Sequence, residues 1–409
     1  DLFNYDTIAG RDSRDAEEPL IFRERLQEQK DSNRADIREF YVDWTLDGLD
    51  LRVGKQYIIW GVLEGVRVVD ELNPMDFREL ILADLLDYRI SLWSVKSDFF
   101  LENGNIQLVF IPDVKFHKAA PRGSEWELLQ DVCIDQPEEI ICQERKPSSW
   151  RLQDSEYGIR YETTVNDVEW SLSYLYTWDD FPVIFRAVPT QAELICREGV
   201  EDNLPNCVYP AFFPTATRLH MYGTTAVRQF GRYILKGEIA YVTGKFFGIR
   251  NTTDLDNNKF VDHDGALMRD HFRWALGVEF NVGGFDIAPG ITQWVINNHE
   301  PMFLQDRYDS TLTLFVRKEM PQQAAVFQML IIDLVNMREL LVKPKVTFQI
   351  DDRFQLGAGV DLFFGLKSDF GNRTTASGAT SFDPGVARAQ FIGNFHDNDR
   401  VYLEFKYSF

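Results

Sequence analysis

The chain has 409 residues, a formal net charge of −21 at pH 7 and an aromatic content of 14%. This acidic balance argues against nucleic acid as a partner, because phosphate binding needs clustered Lys and Arg. The sequence contains no run of roughly 18 apolar residues, which excludes a predicted transmembrane helix.

Residues 1–35 are polar and charged, and we predict an N-terminal arm there. The chain starts at Asp1 without a basic and apolar leader, so we expect the mature form of an exported protein. The residues leave open whether the arm crosses the interior of the fold, extends away from it or pairs partly as a strand.

From residue 36 onward, apolar and polar residues alternate with a period of two. Successive side chains of a strand point to opposite faces, so each such run has one apolar and one polar face. Runs of about ten residues suit a tilted transmembrane strand better than an ordinary sheet. We therefore predict an all-β fold, a transmembrane antiparallel β-barrel of about sixteen strands, within a range of about 14 to 18. The domain would span residues 36–409.

Short turns alternate with long loops along the chain, as in outer-membrane barrels with short periplasmic turns and long external loops. Short turns are expected at Asp47-Gly48, Asn103-Gly104, Asn166-Asp167, Gly283-Gly284, Asp351-Asp352 and Asp397-Asn398. The predicted strands are 36–46, 49–60, 89–101, 105–112, 156–164, 168–177, 213–229, 231–246, 271–282, 285–296, 308–318, 324–335, 338–350, 353–366, 387–396 and 399–409.

The end of the chain separates a barrel from a soluble β-sandwich, which would alternate in the same way. Val401, Leu403, Phe405, Tyr407 and Phe409 form one apolar face. A last strand ending in Phe resembles the signal that bacterial barrel-assembly machinery recognises. That machinery, together with outer-membrane lipid and lipopolysaccharide, is therefore an expected partner, and the bacterial outer membrane is the expected location.

The four cysteines fall in two polar stretches that we interpret as long loops. Cys133 and Cys142 lie in one stretch, and Cys196 and Cys207 lie in the other. Four cysteines allow three pairings, and locality in the sequence favours a disulfide within each pair.

Residues 61–88 interrupt the two-residue period between two predicted hairpins. Asn73-Pro74 suits the start of a helix, and Phe77, Leu80, Ile81 and Leu85 then share one face. We predict a short helical segment folded into the lumen, where it forms a constriction; a structural plug and an external loop are the alternatives. The charged candidates for the constriction are Glu64, Arg67, Asp70, Glu71, Asp76, Arg78 and Glu79.

The polar faces of the predicted strands carry charges of both signs. We interpret them as the lining of a wet pore, and a closed ion-paired network that fills the lumen is the alternative. These residues are Glu39, Asp43, Arg52, Glu169, Lys236, Glu238, Arg273, Glu279, Arg317, Lys343, Lys345, Arg353, Asp361, Glu404 and Lys406.

Four sequence blocks between Ile37 and Pro112 carry a family resemblance. In order, they are REFYVDW, LRVGKQYIIWG, GVRVVDELNPMDFREL and LWSVKSDFF. Together they resemble the DUF1302 family of Gram-negative outer-membrane β-barrel proteins. The resemblance implies an outer-membrane barrel, and for some members it implies transport of apolar or lipid-like molecules beside an inner-membrane pump of the resistance–nodulation–division type.

No motif points to catalysis or to a bound metal. The acidic loop 254–265 begins like a Ca²⁺ loop at Asp254, Asp256 and Asn258, but Lys259 replaces the required Gly and Gly265 replaces the bidentate Glu. The six histidines are scattered and match no nucleophile–base pattern. We predict that the protein is not an enzyme and holds no metal or cofactor.

Three functions are compatible with these patterns. The first is a channel, porin-like or linked to a pump. The second is an insulating sheath around a multihaem cytochrome, which would be a separate protein because this chain has no C-x-x-C-H motif. The third is a structural or adhesive barrel whose loops perform the function.

Overall fold

The structure, a computed structural model, describes residues 37–63, 67–82, 88–120, 124–126, 146–187, 211–249, 265–366, 372–374, 380–382 and 391–407. Short 3-10 helices lie at Pro321–Gln323 and Ile392–Phe395. The strands are β1 (Phe40–Leu46), β2 (Leu49–Gln56), β3 (Leu92–Leu101), β4 (Gly104–Ile111), β5 (Glu156–Val165), β6 (Val168–Trp178), β7 (Val183–Ala187), β8 (Ala211–Thr215), β9 (Arg218–Phe230), β10 (Tyr233–Thr243), β11 (Phe246–Gly248), β12 (Ala266–Met268), β13 (His271–Val282), β14 (Phe285–Ile296), β15 (Tyr308–Met320), β16 (Ala325–Leu334), β17 (Glu339–Gln349), β18 (Phe354–Phe364), β19 (Asn372–Thr374), β20 (Thr380–Phe382) and β21 (Arg400–Tyr407).

One sheet of fifteen strands dominates the described part of the chain, and three small hairpins (β7–β8, β11–β12 and β19–β20) accompany it. The order of the large sheet is β1-β2-β3-β4-β5-β6-β9-β10-β13-β14-β15-β16-β17-β18-β21. Each strand therefore pairs with its neighbours along the chain apart from the hairpins, which is the up-and-down arrangement expected of an antiparallel barrel. The prediction of an all-β, antiparallel barrel fold is confirmed.

The predicted strand 387–396 is wrong for its described part. Residues Ile392–Phe395 form a 3-10 helix, and the backbone N–H groups of Phe391 and Ile392 donate to the buried carboxylate of Glu339. These bonds satisfy the backbone locally and turn the chain inward instead of along the sheet. The expected turn at Asp397-Asn398 accordingly lies within a long connection, while the other five expected turns join strands directly.

The two end strands of the sheet are not joined to each other in the described residues. There, β1 pairs with β2, β21 pairs with β18, and the sheet is not closed.

The sheet curls around the connection between β2 and β3, residues 57–91, which contains the 61–88 interruption and is called the inserted segment below. Trp60 packs against Gly158 of β5, and Leu82 packs with Leu341 of β17 and Phe363 of β18. In a flat sheet, β5 and β18 would lie roughly 40 Å apart at ~4.8 Å per strand. One segment contacts both walls because the sheet surrounds it.

The outer face of the sheet is an apolar band bordered by aromatic rows. Tyr241 of β10 lies opposite Tyr222 and Phe272, and Tyr233, eight positions earlier, lies opposite Phe230 and Phe280. Eight residues span about 26 Å along a strand, which with strand tilt suits an apolar band about 25 Å tall. Between the rows, the exposed side chains include Leu235, Ile239 and Leu276, the last of them 58% exposed.

Among the residues that the structure describes, no helix has the length and hydrophobicity needed to cross a membrane.

Candidate functional site

The inserted segment is irregular, and the helix predicted there is wrong for the described residues. Residues 77–81 form a turn, Leu80 has a positive φ of 54°, and Leu80 N donates to Phe77 O at 2.9 Å. The backbone of Met75 and Asp76 instead pairs with Arg89 and Lys118, including Lys118 N to Met75 O at 2.9 Å. These long-range bonds occupy the groups that a helix would need.

Asn73, predicted as a helix cap, is a buried cross-link within the segment. Its side-chain oxygen accepts the N–H of Ile58 at 2.8 Å, and its amide nitrogen donates to the carbonyl of Ile90 at 2.9 Å. The same Asn therefore ties the two ends of the inserted segment together, where an amide that both donates and accepts is required.

Glu238 of β10 holds the segment against the wall. Its carboxylate, 1% exposed, accepts backbone N–H groups of Val62 at 2.6 Å, Leu63 at 3.0 Å and Val69 at 3.2 Å. A carboxylate that is buried without partners is costly, so three donors from one loop make a specific attachment. Gly61 approaches the same carboxylate, where an added Cβ would lie 3.2 Å from Glu238 Oε1.

Asp70 and Arg89 form a buried ion pair inside the segment. Asp70 also accepts the N–H of Trp60 at 3.2 Å, and Arg67 donates to the carbonyl oxygens of Asp70 at 2.6 Å and Asn73 at 2.8 Å. Arg67, Asp70 and Arg89 thus stabilise the fold of the segment itself. Arg67 and Asp70 are two of the charged residues predicted for the constriction.

A second ion pair joins the segment to β13. Arg273 donates to Glu71 at 2.7 Å and to His271 Nε2 at 2.8 Å, and its guanidinium stacks 3.8 Å from the ring of Trp294. Arg273 is buried, so this bond fixes the segment against the wall rather than presenting a charge to solvent.

Apolar packing fills the space around these polar attachments. Gly158 and Gly223 lie where wall side chains would collide with Trp60 and Val69 respectively. A first apolar cluster joins the segment to inward-facing residues near the long-loop ends of strands between β3 and β13. Its members from the segment and the strands together are Ile58, Trp60, Val68, Val69, Leu72, Leu92, Val109, Ile111, Leu175, Leu219, Met221, Ala240, Val242 and Ala275.

A second apolar cluster attaches the segment to the opposite wall. It contains Leu80, Leu82, Trp126, Ile332, Leu341, Phe363, Ile392 and Phe395. Next to it, Lys343 Nζ donates to the carbonyls of Ile81 at 3.0 Å and Leu82 at 2.7 Å. Arg400 lies 2.6 Å from Asp361 and 3.7 Å from Glu79.

His117 and Asp180 form a buried contact at the long-loop end. The N–H of Met75 donates to His117 Nδ1 at 2.7 Å, and the same nitrogen is 3.8 Å from Asp180 Oδ2. Burial lowers the pKa of His117 to about 3, and the positive charge of Arg67 adds to this effect. Burial, reinforced by Glu156, raises the pKa of Asp180 well above its ordinary value. The His117 imidazole is therefore neutral at neutral pH, and burial disfavours the charged form of the Asp180 carboxyl that faces it.

The predicted constriction residues separate into three groups. Arg67, Asp70 and Glu71 make the internal and wall contacts given above. Asp76 and Arg78 pair with each other at 2.6 Å, and Glu79 stays half-exposed. Glu64 lies outside the described residues.

The predicted lining residues of the strands lie on the inner face, and six of them form cross-strand ion pairs toward the short-turn end. Asp43 pairs with Arg52 at 2.7 Å, Lys345 with Glu404 at 2.6 Å, and Lys236 with Glu279. Arg317 lies 2.6 Å from Glu319, while Glu39, Glu169 and Lys406 are exposed. Arg353 is the exception, because it lies in the turn before β18.

Several positions of the inner network carried no sequence signal that we used. Trp60, Arg89, His117 and Arg400 hydrogen-bond to residues distant in sequence, whereas His271 accepts from Arg273, two positions away. The only signal that could have indicated their inner contacts is an isolated charge or aromatic ring within a mostly apolar run.

The N-terminal arm, the four cysteines and the acidic loop 254–265, apart from Gly265, lie outside the described residues. Within the described ranges, no three His, Cys, Asp or Glu residues group closely enough to hold a metal ion.

Similarity to known proteins is weak except for one family model. No curated protein matches the chain. Among solved structures, OccK8 (OprE) of Pseudomonas aeruginosa has 9% identity and a TM-score of 0.41, covering 80% of this chain and 76% of its own. OmpT, an outer membrane protein of Vibrio cholerae, has 9% identity and a TM-score of 0.37, covering 90% and 79%. OccAB4 of Acinetobacter baumannii has 8% identity and a TM-score of 0.39, covering 80% and 70%.

Those TM-scores are too low to add to the fold derived from the sheet itself. The family model described as protein of unknown function (DUF1302) matches residues 4–262, which is more than half of the chain. The chain therefore belongs to the DUF1302 family.

Proposed function

We propose that this protein is a porin-like channel of the bacterial outer membrane whose long-loop half is occluded by the inserted segment. The observation that supports it best is the position of that segment, which lies inside the curled sheet and is attached to walls on opposite sides. The apolar outer band supports the membrane location, and short turns would face the periplasm.

The two halves of the lumen suggest a gated passage. In the short-turn half, paired charges such as Lys345 and Glu404 line a polar vestibule. In the long-loop half, apolar side chains and the Glu238 attachment close the path. A channel of this kind conducts when the inserted segment shifts, so its attachments to the wall determine how often it opens.

The cargo and the partners extend this proposal. The family resemblance supports apolar or lipid-like cargo and cooperation with an inner-membrane pump. Assembly would involve the barrel-assembly machinery, lipid and lipopolysaccharide. A sheath around a multihaem cytochrome is less well supported, because the inserted segment occupies the space that a cytochrome would need.

Planar-bilayer recordings test the channel with matched variants. Glu238→Gln keeps the shape of the attachment but weakens its three charge-assisted bonds, so we expect more frequent opening than in the wild type. Glu279→Gln is the control, because Glu279 lies on the same wall and pairs with Lys236 instead of the segment.

A second variant replaces residues 66–86 with a short Gly/Ser linker and should give larger unitary conductance. The proposal would be contradicted if Glu238→Gln opened no more often than the wild type and the linker protein had the wild-type unitary conductance. Heat-modifiable migration would show that the barrel of each variant is folded.

A further inference from the structure

The wall of the barrel has a weak seam between β13 and β14. The antiparallel ladder is continuous from His271 to Gly277, but the pairs Val278–Pro289 and Glu279–Ala288 are missing before it resumes at Phe280. Pro289 has no N–H to donate, and proline is normally restricted to edge strands, whereas β14 pairs on both sides. The seam therefore lacks a hydrogen bond in the middle of the wall.

The inner side of the same seam has a pair of glycines next to the missing pairs. Gly277 and Gly290 are register partners across it, and both belong to the inward-facing set. Leu63 of the inserted segment occupies the position where a Cβ of Gly277 would otherwise lie. Leu63 of the segment thus covers the seam at Gly277, and Thr313 of the wall covers it at Gly290.

A small cavity lies against the inner side of the wall at this point. Its lining includes the lumen residues Leu63, Gly290 and Thr313 together with Val278 and Pro289, which belong to the outward-facing set. With Leu63 in place its volume is about 20 Å³, little more than the space for one water. The inner side of the seam is therefore nearly filled while Leu63 is in place.

The outer side of the seam opens on the middle of the membrane-facing band. Leu276, 58% exposed, lies midway between Phe272 and Phe280 of the two aromatic rows. At this depth the surroundings are acyl chains rather than headgroups or water. A molecule that enters the seam from outside must therefore be apolar. It must also be unbranched to pass between two strands.

We propose that the β13–β14 seam is a lateral portal through which an apolar chain passes between the lumen and the bilayer, with Leu63 as its gate. The inference rests on the channel function proposed above and adds a route for its cargo. It requires the strands to separate only where a hydrogen bond is already missing and where the adjacent inward pair, Gly277 and Gly290, has no side chains.

A second proline in the sheet supplies a matched control. Pro344 of β17 interrupts the β17–β18 ladder in the same way, leaving out Lys343–Asp361 and Pro344–Val360. The groove there is lined, within the described residues, by β17, β18 and β21 alone. The inner side at Gly359 is covered by the ring of Tyr402, and the inserted segment meets this interruption through the Lys343 Nζ bonds to its backbone instead of through an apolar side chain.

The test places a bimane fluorophore at Leu63→Cys, in a chain whose four native cysteines are replaced by Ser. The protein is reconstituted in phosphatidylcholine brominated along its acyl chains, which quench on contact. We expect strong quenching, loss of most of it when Pro289→Val restores the N–H, and no loss with Pro344→Val. If Pro289→Val does not fold, Pro289→Ala restores the same N–H with a smaller side chain.

Absence of quenching at Leu63→Cys, or quenching that Pro289→Val leaves unchanged, would overturn the portal. Conductance of the same proteins is recorded in parallel. An unquenched fluorophore in a conducting barrel removes the portal and leaves the channel, whereas a barrel that never conducts in the Glu238→Gln background removes the channel itself.

Discussion

The two halves of the lumen hold their charges in different ways. In the long-loop half, Asp70 and Arg89 have side chains only 3% and 4% exposed, and Glu238 is surrounded by backbone donors. In the short-turn half, Asp43 and Arg52 form a well-aligned pair whose side chains are 51% and 30% exposed. The chemistry of the pairs is alike, and their surroundings differ.

This difference shows which charges build the structure and which ones only line it. Breaking a buried pair leaves an uncompensated charge in an apolar environment, which is strongly destabilising. Breaking an exposed pair returns both groups to water at little cost. The inserted segment should therefore depend on its buried charges, while the vestibule should tolerate substitution.

The largest expected effect is at the buried pair. Arg89→Ala should lower the free energy of unfolding by about 3–5 kcal/mol, because Asp70 would remain buried without its partner. Urea unfolding of the refolded barrel, followed by tryptophan fluorescence, measures this. The double variant Asp70→Asn with Arg89→Ala should recover part of the loss, and no recovery would show that packing rather than charge is responsible.

The next largest loss of stability is expected when a charge is introduced on the lipid-facing side of the sheet. Val360→Arg should cost about 2–4 kcal/mol near the bilayer midplane, whereas Gln355→Arg, on the inner face near a turn, should be mild. Phe354→Arg should fall between them, since it lies near the end of β18. Equal losses of refolding stability at Val360 and Gln355 would contradict the assignment of faces.

Acid should loosen the long-loop end through His117, which faces Arg67, Glu71, Lys245 and Asp180. The unfolded His has its ordinary pKa near 6.5 and the folded one about 3, so only the unfolded chain gains a proton as pH falls between these values. Stability from His117 is therefore lost as pH falls from about 6.5 toward 3.

Asp180 has the opposite sign, because its raised folded pKa gives stability that is lost as pH rises. His117→Asn can still accept the Met75 N–H, and Asp180 is unchanged in it. The difference in unfolding free energy between wild type and His117→Asn, measured from pH 7 to pH 5, isolates the histidine. A difference that stays constant across this range would contradict the assignment.

The smallest effect is expected in the vestibule. Arg52→Ala should change stability by about 0–1 kcal/mol, since its partner Asp43 is half-exposed and returns to water. The urea midpoint at low and high salt measures this. A loss as large as that of Arg89→Ala would remove the distinction between the two halves.

Much of the sheet could be predicted from sequence because its signal is local. Alternation identifies strands such as His271–Val282 and Phe285–Ile296 to the residue, since every second side chain must tolerate lipid. The strand predicted at 387–396 failed because Glu339, about fifty positions away, satisfies its backbone. Local pattern contains no information about such a partner.

The inserted segment could be located but not described. The break in period and the family blocks marked where it interrupts the strands, between β2 and β3, yet Asn73 and Leu80 were assigned to a helix on local preference. Their conformations are set by Ile58, Ile90 and the wall, so contacts distant in sequence overrode propensity. The charges of Asp70 and Glu71 were found, but their burial could not be.

The central claim is that the inserted segment crosses the lumen, and one cross-link tests it most directly. Glu79 of the segment lies 3.7 Å from Arg400 of the last strand. In a chain without native cysteines, Glu79→Cys with Arg400→Cys should be joined within one molecule by a short bismaleimide, which replaces the reach of the two long side chains, because a direct disulfide needs Cα atoms within about 7 Å. Glu79→Cys with Val401→Cys, whose second residue is 80% exposed on the outer face, should not. Failure of the first pair, or equal cross-linking of both, would contradict a segment inside the barrel.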